Sequence, residues 1–340
     1  MNKRVISVVS ASLMAGFLLS GCGSAGSNGE AAAGSDGEPL KIGLNPFPTY
    51  FLWYVAEEKG FFKAHGVNVK LEWFPSYSDG LSALNSGNVD ANSQTLSDTL
   101  PPAGKGIKLQ IPMIIDYSSG ADGFVVDPSI NSVEDLKGKR IATELGTVDQ
   151  FFLLSVLKNH GLAEKDIKYF NMAITDAGSS FLAGKIDAAV IWEPFLSQTL
   201  SSGKGKLLFS SKETPGMLMD AIVFRKDIVD KRPEDVKNVT AAWFEAVDYL
   251  KKNPDDAIAI MAKHADISPA EFKTSLDGVK VYDLRDNVDA QKDEKDYTSV
   301  KYNGEQVGEF LKGLDFIETV PDMSKLYNPS FVNELVKENN

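Results

Sequence analysis

A chain of 340 residues, 43% of them hydrophobic and 24% charged, has the composition of an ordinary globular protein and is long enough for two lobes with separate cores. That composition excludes global disorder. A formal net charge of −12 argues against nucleic acid or an anionic membrane surface as a partner, because both require a basic face.

The chain opens with MNKRVISVVSASLMAGFLLSGC, in which Lys3 and Arg4 precede an apolar run over 5–19. That run is shorter than the about 20 residues a membrane span requires, so residues 1–21 read as an export signal. Its end, Leu19-Ser20-Gly21-Cys22, resembles the lipobox of bacterial lipoproteins, which implies cleavage before Cys22 and lipidation of its thiol. Cys22 is the sole cysteine, so neither an internal disulfide nor a cysteine metal cluster can form. Cleavage there would remove Lys3 and Arg4 and no acid, taking the formal charge from −12 to −14. Beyond Cys22, residues up to 38 are small, flexible and acidic types that cannot build a core, and the segment 22–38 reads as a tether. The expected location is extracytoplasmic, with the membrane touched only through the lipid.

In the folded part, periodicity predicts a strand over 40–44, a helix over 50–59, a strand over 67–73, a helix over 79–86 and a short strand over 89–92. Farther on come a strand over 140–143, a helix over 149–159 with Thr147 and Gln150 spaced as a capping box, and strands over 167–170 and 188–191. Short strands alternating with helices predict an α/β protein with mostly parallel sheets covered on both faces.

Two stretches share their punctuation. KAHGVNVKLEWF and KNHGLAEKDIKYF place His65-Gly66 and His160-Gly161 between helix and strand, and LNSGNVDANSQ agrees with FLAGKIDAAVI at Gly, Val/Ile, Asp and Ala. From one glycine to the next is 21 residues in the first copy and 23 in the second, which predicts two lobes built on one plan. Ligands of open α/β sheets bind beyond the carboxyl ends of the strands. Applied to both lobes, that rule selects the loops 45–51, 93–99, 144–151 and 192–195. Glu193 closes the apolar run of GKIDAAVIWEPF in a charge because that end faces a cleft, and Ser97-Asp98 hold the corresponding place in the other lobe. His65, His160 and His264 are scattered, and DANSQTLSD lacks the full calcium-loop pattern, so no metal and no cofactor is expected.

The run KIGLNPFPTYFLWYVAEEKGFFKAHGVNVKLEWF, with Asp90-Ala91, VEDLKGK over 133–139 and Asp187-Ala188, resembles the nitrate/sulfonate/taurine-type substrate-binding proteins of ABC importers over nearly all of the chain past the tether. The resemblance implies a two-lobe periplasmic-binding-protein-like fold of type II with two crossover strands as hinge, placed here near 123–126 and 221–224. Lobe 1 would comprise 39–124 and 223–340, and lobe 2 would comprise 125–222. Helices over 233–252 and 254–263 would return to pack on lobe 1. It also implies a monomer that catalyses nothing, closes on a small solute and delivers it to an ABC permease with its ATPase. The same fold serves pyrimidine synthases and sensor domains. The sequence nevertheless offers no cysteine nucleophile, no cysteine-rich iron motif, and no membrane-spanning stretch after residue 22.

The cleft loops and the hinge are rich in acids, namely Asp98, Asp116, Asp122, Glu144, Asp149, Glu193 and Asp220, while the basic residues lie outside them. Buried carboxylates without counterions are costly, so several around one pocket predict a cation or a strong multiple donor. Phe47, Tyr50, Trp53, Trp73, Tyr77, Tyr117 and Trp192 supply aromatic faces for such a group, with core packing the competing use of Trp53. Asp149, in the first turn of its helix, reads as a dipole-stabilising residue. SQTLSDTL, DYSSGAD and TELGTVDQFFLL resemble a subgroup associated with guanidine or urea-like nitrogen compounds. The Trp-Glu-Pro segment resembles binders of pyrimidine precursors of thiamine instead, and sulfonate, taurine or nitrate stay open as alternatives. The expected ligand-binding set is Phe47, Tyr50, Trp53, Gln94, Ser97, Asp98, Asp116, Tyr117, Asp122, Glu144, Thr147, Trp192, Glu193 and Asp220.

Overall fold

The computed structural model describes residues 37–338; the export signal, Cys22 and the tether up to residue 36 lie outside the described residues. The strands are β1 (Leu40–Leu44), β2 (Val69–Trp73), β3 (Ala91–Thr95), β4 (Leu109–Ser118), β5 (Asp122–Val126) and β6 (Arg140–Thr143). They are followed by β7 (Lys168–Asn171), β8 (Ala188–Trp192), β9 (Lys206–Ser210), β10 (Met219–Arg225) and β11 (Val279–Val281). One sheet runs β2-β1-β3-β10-β4-β11 and the other β7-β6-β8-β5-β9. Helices cover both sheets, giving the expected two-lobe α/β fold.

The duplication is visible in the pairing. In each lobe three parallel strands, β2-β1-β3 or β7-β6-β8, are followed by an antiparallel one, β10 or β5. The shared aspartates do the same structural work in both copies: Asp90 Oδ2 accepts from the Lys41 amide at 3.0 Å, and Asp187 Oδ2 from the Arg140 amide at 2.8 Å. Each carboxylate thus satisfies an amide at the start of the neighbouring parallel strand, the second of β1 and the first of β6. The glycine pairs match as well, since Gly66 and Gly161 have φ of 71° and 74°, a left-handed turn that favours glycine.

Three expectations are corrected. The sheets are mixed rather than mostly parallel, because β10, β4, β11, β5 and β9 all run antiparallel to their neighbours. β5 pairs only within the second sheet and β10 only within the first, so boundaries at 124/125 and 222/223 would cut through strands. The chain changes lobe over 119–121 and 211–218, just ahead of the strands taken for the hinge. These segments touch: Ser118 Oγ and Ser211 Oγ share a hydrogen bond of 2.6 Å, and the Gly120 amide donates to Ser211 Oγ at 2.7 Å. Finally, the helix expected over 50–59 is a 3-10 turn, Pro48–Phe51, running into an α-helix, Leu52–Glu58. Pro48 suits the first position, where its fixed φ helps and its missing N–H costs nothing.

The carboxyl-terminal helices Pro233–Lys252 and Pro254–Ala265 return to the first lobe as expected. There the rings of Trp53 and Trp243 lie 4.5 Å apart, both fully buried.

Candidate functional site

The carboxyl ends of the parallel strands of both lobes and the amino ends of β5 and β10 meet around a tight cavity lined by Asn45, Phe47, Tyr50, Tyr77, Thr95, Ser118, Asp122, Val148, Trp192, Leu218 and Asp220. Register explains the grouping, because residues directly opposite on neighbouring strands share a face of the sheet. In the second lobe Asp122 of β5 pairs with Trp192 of β8. In the first, Asp220 of β10 pairs with Thr95 of β3 on one side and Asp116 of β4 on the other. No lysine, arginine or histidine lines the cavity.

Its electrostatics are one-sided. Asp116 and Asp149 are fully buried, and neither carboxylate finds a hydrogen-bond partner on either oxygen among the described residues. Asp220, 2% exposed, has the same deficit at Oδ1. Burial is the main force pushing the carboxyls of Asp116, Asp149 and Asp220 well above the usual carboxylate range, and like-charged neighbours add to it: Asp122 for Asp116 and Asp149, and Asp116 for Asp220. Thr49 and Asp220 are the polar neighbours of Asp116, yet neither reaches hydrogen-bond geometry with it. Burial likewise raises Asp122 to about 6, with Ser118 and Asp149 working in the opposite direction. Among the described residues no group of three or more His, Cys, Asp or Glu is arranged to hold a metal ion. The aromatic wall consists of Phe47 and Tyr50, with centroids 5.3 Å apart, and of Trp192 meeting Tyr77 edge to face at 5.4 Å.

The lobes hold each other across this cavity. Asp98 Oδ2 accepts from Tyr77 Oη at 2.7 Å, Thr95 Oγ1 at 2.8 Å and, from the opposite lobe, the Val148 amide at 3.0 Å. Val148 begins the helix Val148–Asn159, whose first amides have no partners within the helix, so a carboxylate is well placed there. Trp192 Nε1 donates to the Pro46 carbonyl at 3.2 Å, and Glu144 Oε1 accepts from the Ser78 amide at 3.3 Å and Ser76 Oγ at 3.4 Å.

Of the residues expected at the site, Phe47, Tyr50, Asp122, Trp192 and Asp220 line the cavity, and Asp116 lies beside Asp220. Asp98 and Glu144 join the lobes. The remainder go elsewhere. Trp53 is core, with Nε1 bonded to Ser93 Oγ at 2.9 Å. Gln94 points to the opposite face of β3 from Thr95 and bonds Thr99 Oγ1 at 3.0 Å. Ser97 Oγ pairs with Thr95 Oγ1 at 2.9 Å, and Tyr117 stands edge-on to Tyr282 at 5.8 Å. Glu193 does not line the cavity; it accepts from Ser197 Oγ at 2.5 Å, the Ser197 amide at 3.1 Å and, across the lobes, Ser275 Oγ at 3.4 Å. The capping box does not form: Thr147 Oγ1 donates to the Glu144 carbonyl at 2.8 Å, while Gln150 Oε1 accepts from the Gly146 amide at 2.8 Å. Asp149 sits in the first helical turn as read, but no amide bonds its oxygens. Asn45, Thr95, Ser118, Val148, Leu218 and Tyr77, the last named only as an aromatic face, line the cavity without belonging to the expected set; Ser118 follows Tyr117 in DYSSGAD, and its place two residues after Asp116 puts it on the same face of β4.

Fold and site together define a two-lobed α/β protein with a small cavity where its halves meet. The chain belongs to the NMT1/THI5-like family, whose model matches residues 48–257. It is 26% identical over 248 residues to a protein of Brucella abortus (strain 2308) named only by the class of binding protein, covering 71% of this chain and 76% of that one. The taurine-binding periplasmic protein of Escherichia coli (strain K12) is 27% identical over 199 residues, 57% of this chain and 61% of the relative. Among solved structures, the alkanesulfonate-binding protein SsuA of Xanthomonas axonopodis pv. citri, bound to MOPS, superposes with a TM-score of 0.72 at 20% identity, over 85% of this chain and 98% of that one.

Proposed function

We propose that this protein is the extracytoplasmic solute-capturing component of an ABC importer, and that its solute is a small nitrogen-rich cation of the guanidinium type. The taurine- and alkanesulfonate-binding relatives support the first half of this reading. The second half rests on one observation: Asp122 and Asp220, from opposite lobes, face a cavity with no basic residue in its lining, while Asp116 and Asp149 beside them lack any donor of their own. A sulfonate or nitrate would meet this wall with like charge. A guanidinium is planar, permanently charged and rich in N–H donors, so it suits carboxylates from two sides and the faces of Phe47, Tyr50 and Trp192.

Capture requires contacts from both lobes, so that binding free energy favours the shut form over the open one. A micromolar solute corresponds to about 8 kcal/mol, within reach of a few charge-assisted hydrogen bonds and an aromatic wall. The binding-protein relatives favour a carrier over an enzyme. Calorimetric titration with guanidinium, taurine, nitrate and a formylaminopyrimidine tests the assignment. Saturable binding of guanidinium alone is the expected result; tight binding of taurine or nitrate with no response to guanidinium overturns it.

A further inference from the structure

Resting on the reading just given, we propose that capture of a cation here is coupled to proton uptake. As the lobes shut, they bring together more carboxylates than a small cation can neutralise, and the surplus carboxylates take protons from solvent.

The geometry consists of two carboxyl pairs, one from each lobe. Asp116 and Asp220 are register partners on β4 and β10 and share a face whether the lobes are apart or together. Asp122 opens β5, and Asp149 stands beside it in the first turn of Val148–Asn159. All four are buried in the shut form, at 3% exposure or less. From the first lobe the groups facing them are Tyr50, Tyr77, Tyr282 and Asp98; from the second they are Glu144, Glu193 and Tyr169. Every one of these is acidic or phenolic, so no element packed against the pairs supplies a positive charge.

With the lobes apart, these carboxyls meet water and are ionised at neutral pH, given an ordinary carboxyl pKa of about 4. Shut in, a monovalent cation compensates one of them, or is shared by a pair. The others would be buried anions without partners, which is far less favourable than the neutral acid. Burial also lifts Asp122 to about 6 and pushes Asp116, Asp149 and Asp220 well above the usual carboxylate range, so closure biases toward the protonated form those that the cation does not neutralise. The balance is simple: carboxylate plus a proton from water or buffer gives carboxylic acid, and opening returns it.

The sign of the pH dependence follows. A carboxylate that merely attracts a cation binds equally well at every pH above its own titration. Here each proton taken up makes affinity fall by about tenfold per pH unit as pH rises, in the range between the open-form and the shut-form titrations. Guanidinium stays charged throughout, so the ligand contributes no titration.

The test is calorimetric titration of the full-length protein with guanidinium chloride at pH 7.5, in phosphate and in Tris, with affinities measured from pH 7 to 9. Expected are an apparent enthalpy that differs between buffers by the equivalent of about one proton or more taken up, and an affinity at least about fivefold weaker for each unit of rising pH. Asp149→Asn, isosteric with the neutral acid, should reduce the proton count, flatten the pH profile and tighten binding at pH 7 by at least about tenfold, because the variant has no proton to take up on closure. Guanidinium binding with buffer-independent enthalpy and a flat pH profile overturns the proton coupling and leaves the functional reading intact. Absence of guanidinium binding overturns both.

Discussion

The backbone amide of Val148 in one lobe donates to the carboxylate of Asp98 in the other, across 3.0 Å. Asp98 also holds Tyr77 and Thr95 of its own lobe, so a single carboxylate fixes the cavity wall and fastens it to the opposite helix. Hydrogen bonds to a charged group contribute about 1.5–3 kcal/mol each, and Asp98→Ala removes three at once. We expect a folded protein with a larger radius of gyration by small-angle scattering under saturating solute, and an affinity at least about tenfold weaker. An unchanged scattering profile would show that Asp98 does not govern closure.

Asp220 and Glu193 are both buried acids at strand ends, and the structure assigns them opposite roles. Asp220 lines the cavity with one oxygen lacking a partner, whereas Glu193 is occupied by Ser197 and Ser275. Asp220→Asn should therefore weaken guanidinium binding at least about tenfold, or about 1.4 kcal/mol. Glu193→Gln keeps the shape and most acceptor capacity, and should change affinity by less than about threefold. Calorimetry on the two variants side by side decides between them; equal losses would restore Glu193 to the binding site.

The repeat, the strand ends and the acidic character of the cleft were legible in the sequence because they are local: glycine punctuation, apolar runs and charges lie within a few residues of each other. What escaped was direction and long-range pairing. Successive strand residues point to opposite faces, so Trp192 reaching the cavity turns Glu193 away from it, and Thr95 does the same to Gln94. β4 went unread because its apolar run has no alternation and contains Pro112. The register shift between Ile222 and Phe224 of β10, opposite that stretch, accommodates a residue with no N–H for the ladder. The neighbourhood of Asp116 and Asp220 depends on residues about a hundred positions apart becoming strand partners, which no local pattern announces.

Trp53 separates core from cleft. Its ring packs on Trp243 and stacks on Phe62 at 6.0 Å, with Nε1 bonded to Ser93. Trp53→Phe should lower stability by about 1–3 kcal/mol through the volume lost and the unpaired Ser93 hydroxyl, read as a lower melting temperature. Solute affinity of the folded protein should stay within about twofold, and a large loss of affinity at unchanged melting temperature would put Trp53 back in the cleft.

Without solute, closure itself should respond to pH. Asp98 is raised to about 7 and Asp122 to about 6 in the shut form, burial being the main cause in each case, and both return toward about 4 when the lobes part and water reaches them. The shut form therefore binds more protons than the open one between those limits, and linkage makes its relative stability fall as pH rises. The contribution is fully present below about pH 4 and is lost as pH climbs through about 6 to 7. Fluorophores on the two lobes should thus report a shut population that shrinks from pH 5 to pH 8, with Asp98→Asn flattening the profile because its amide does not titrate. A population that grows over that range would mean that the hydrogen bonds from Tyr77, Thr95 and Val148 outweigh burial at Asp98, reversing the sign derived from its surroundings.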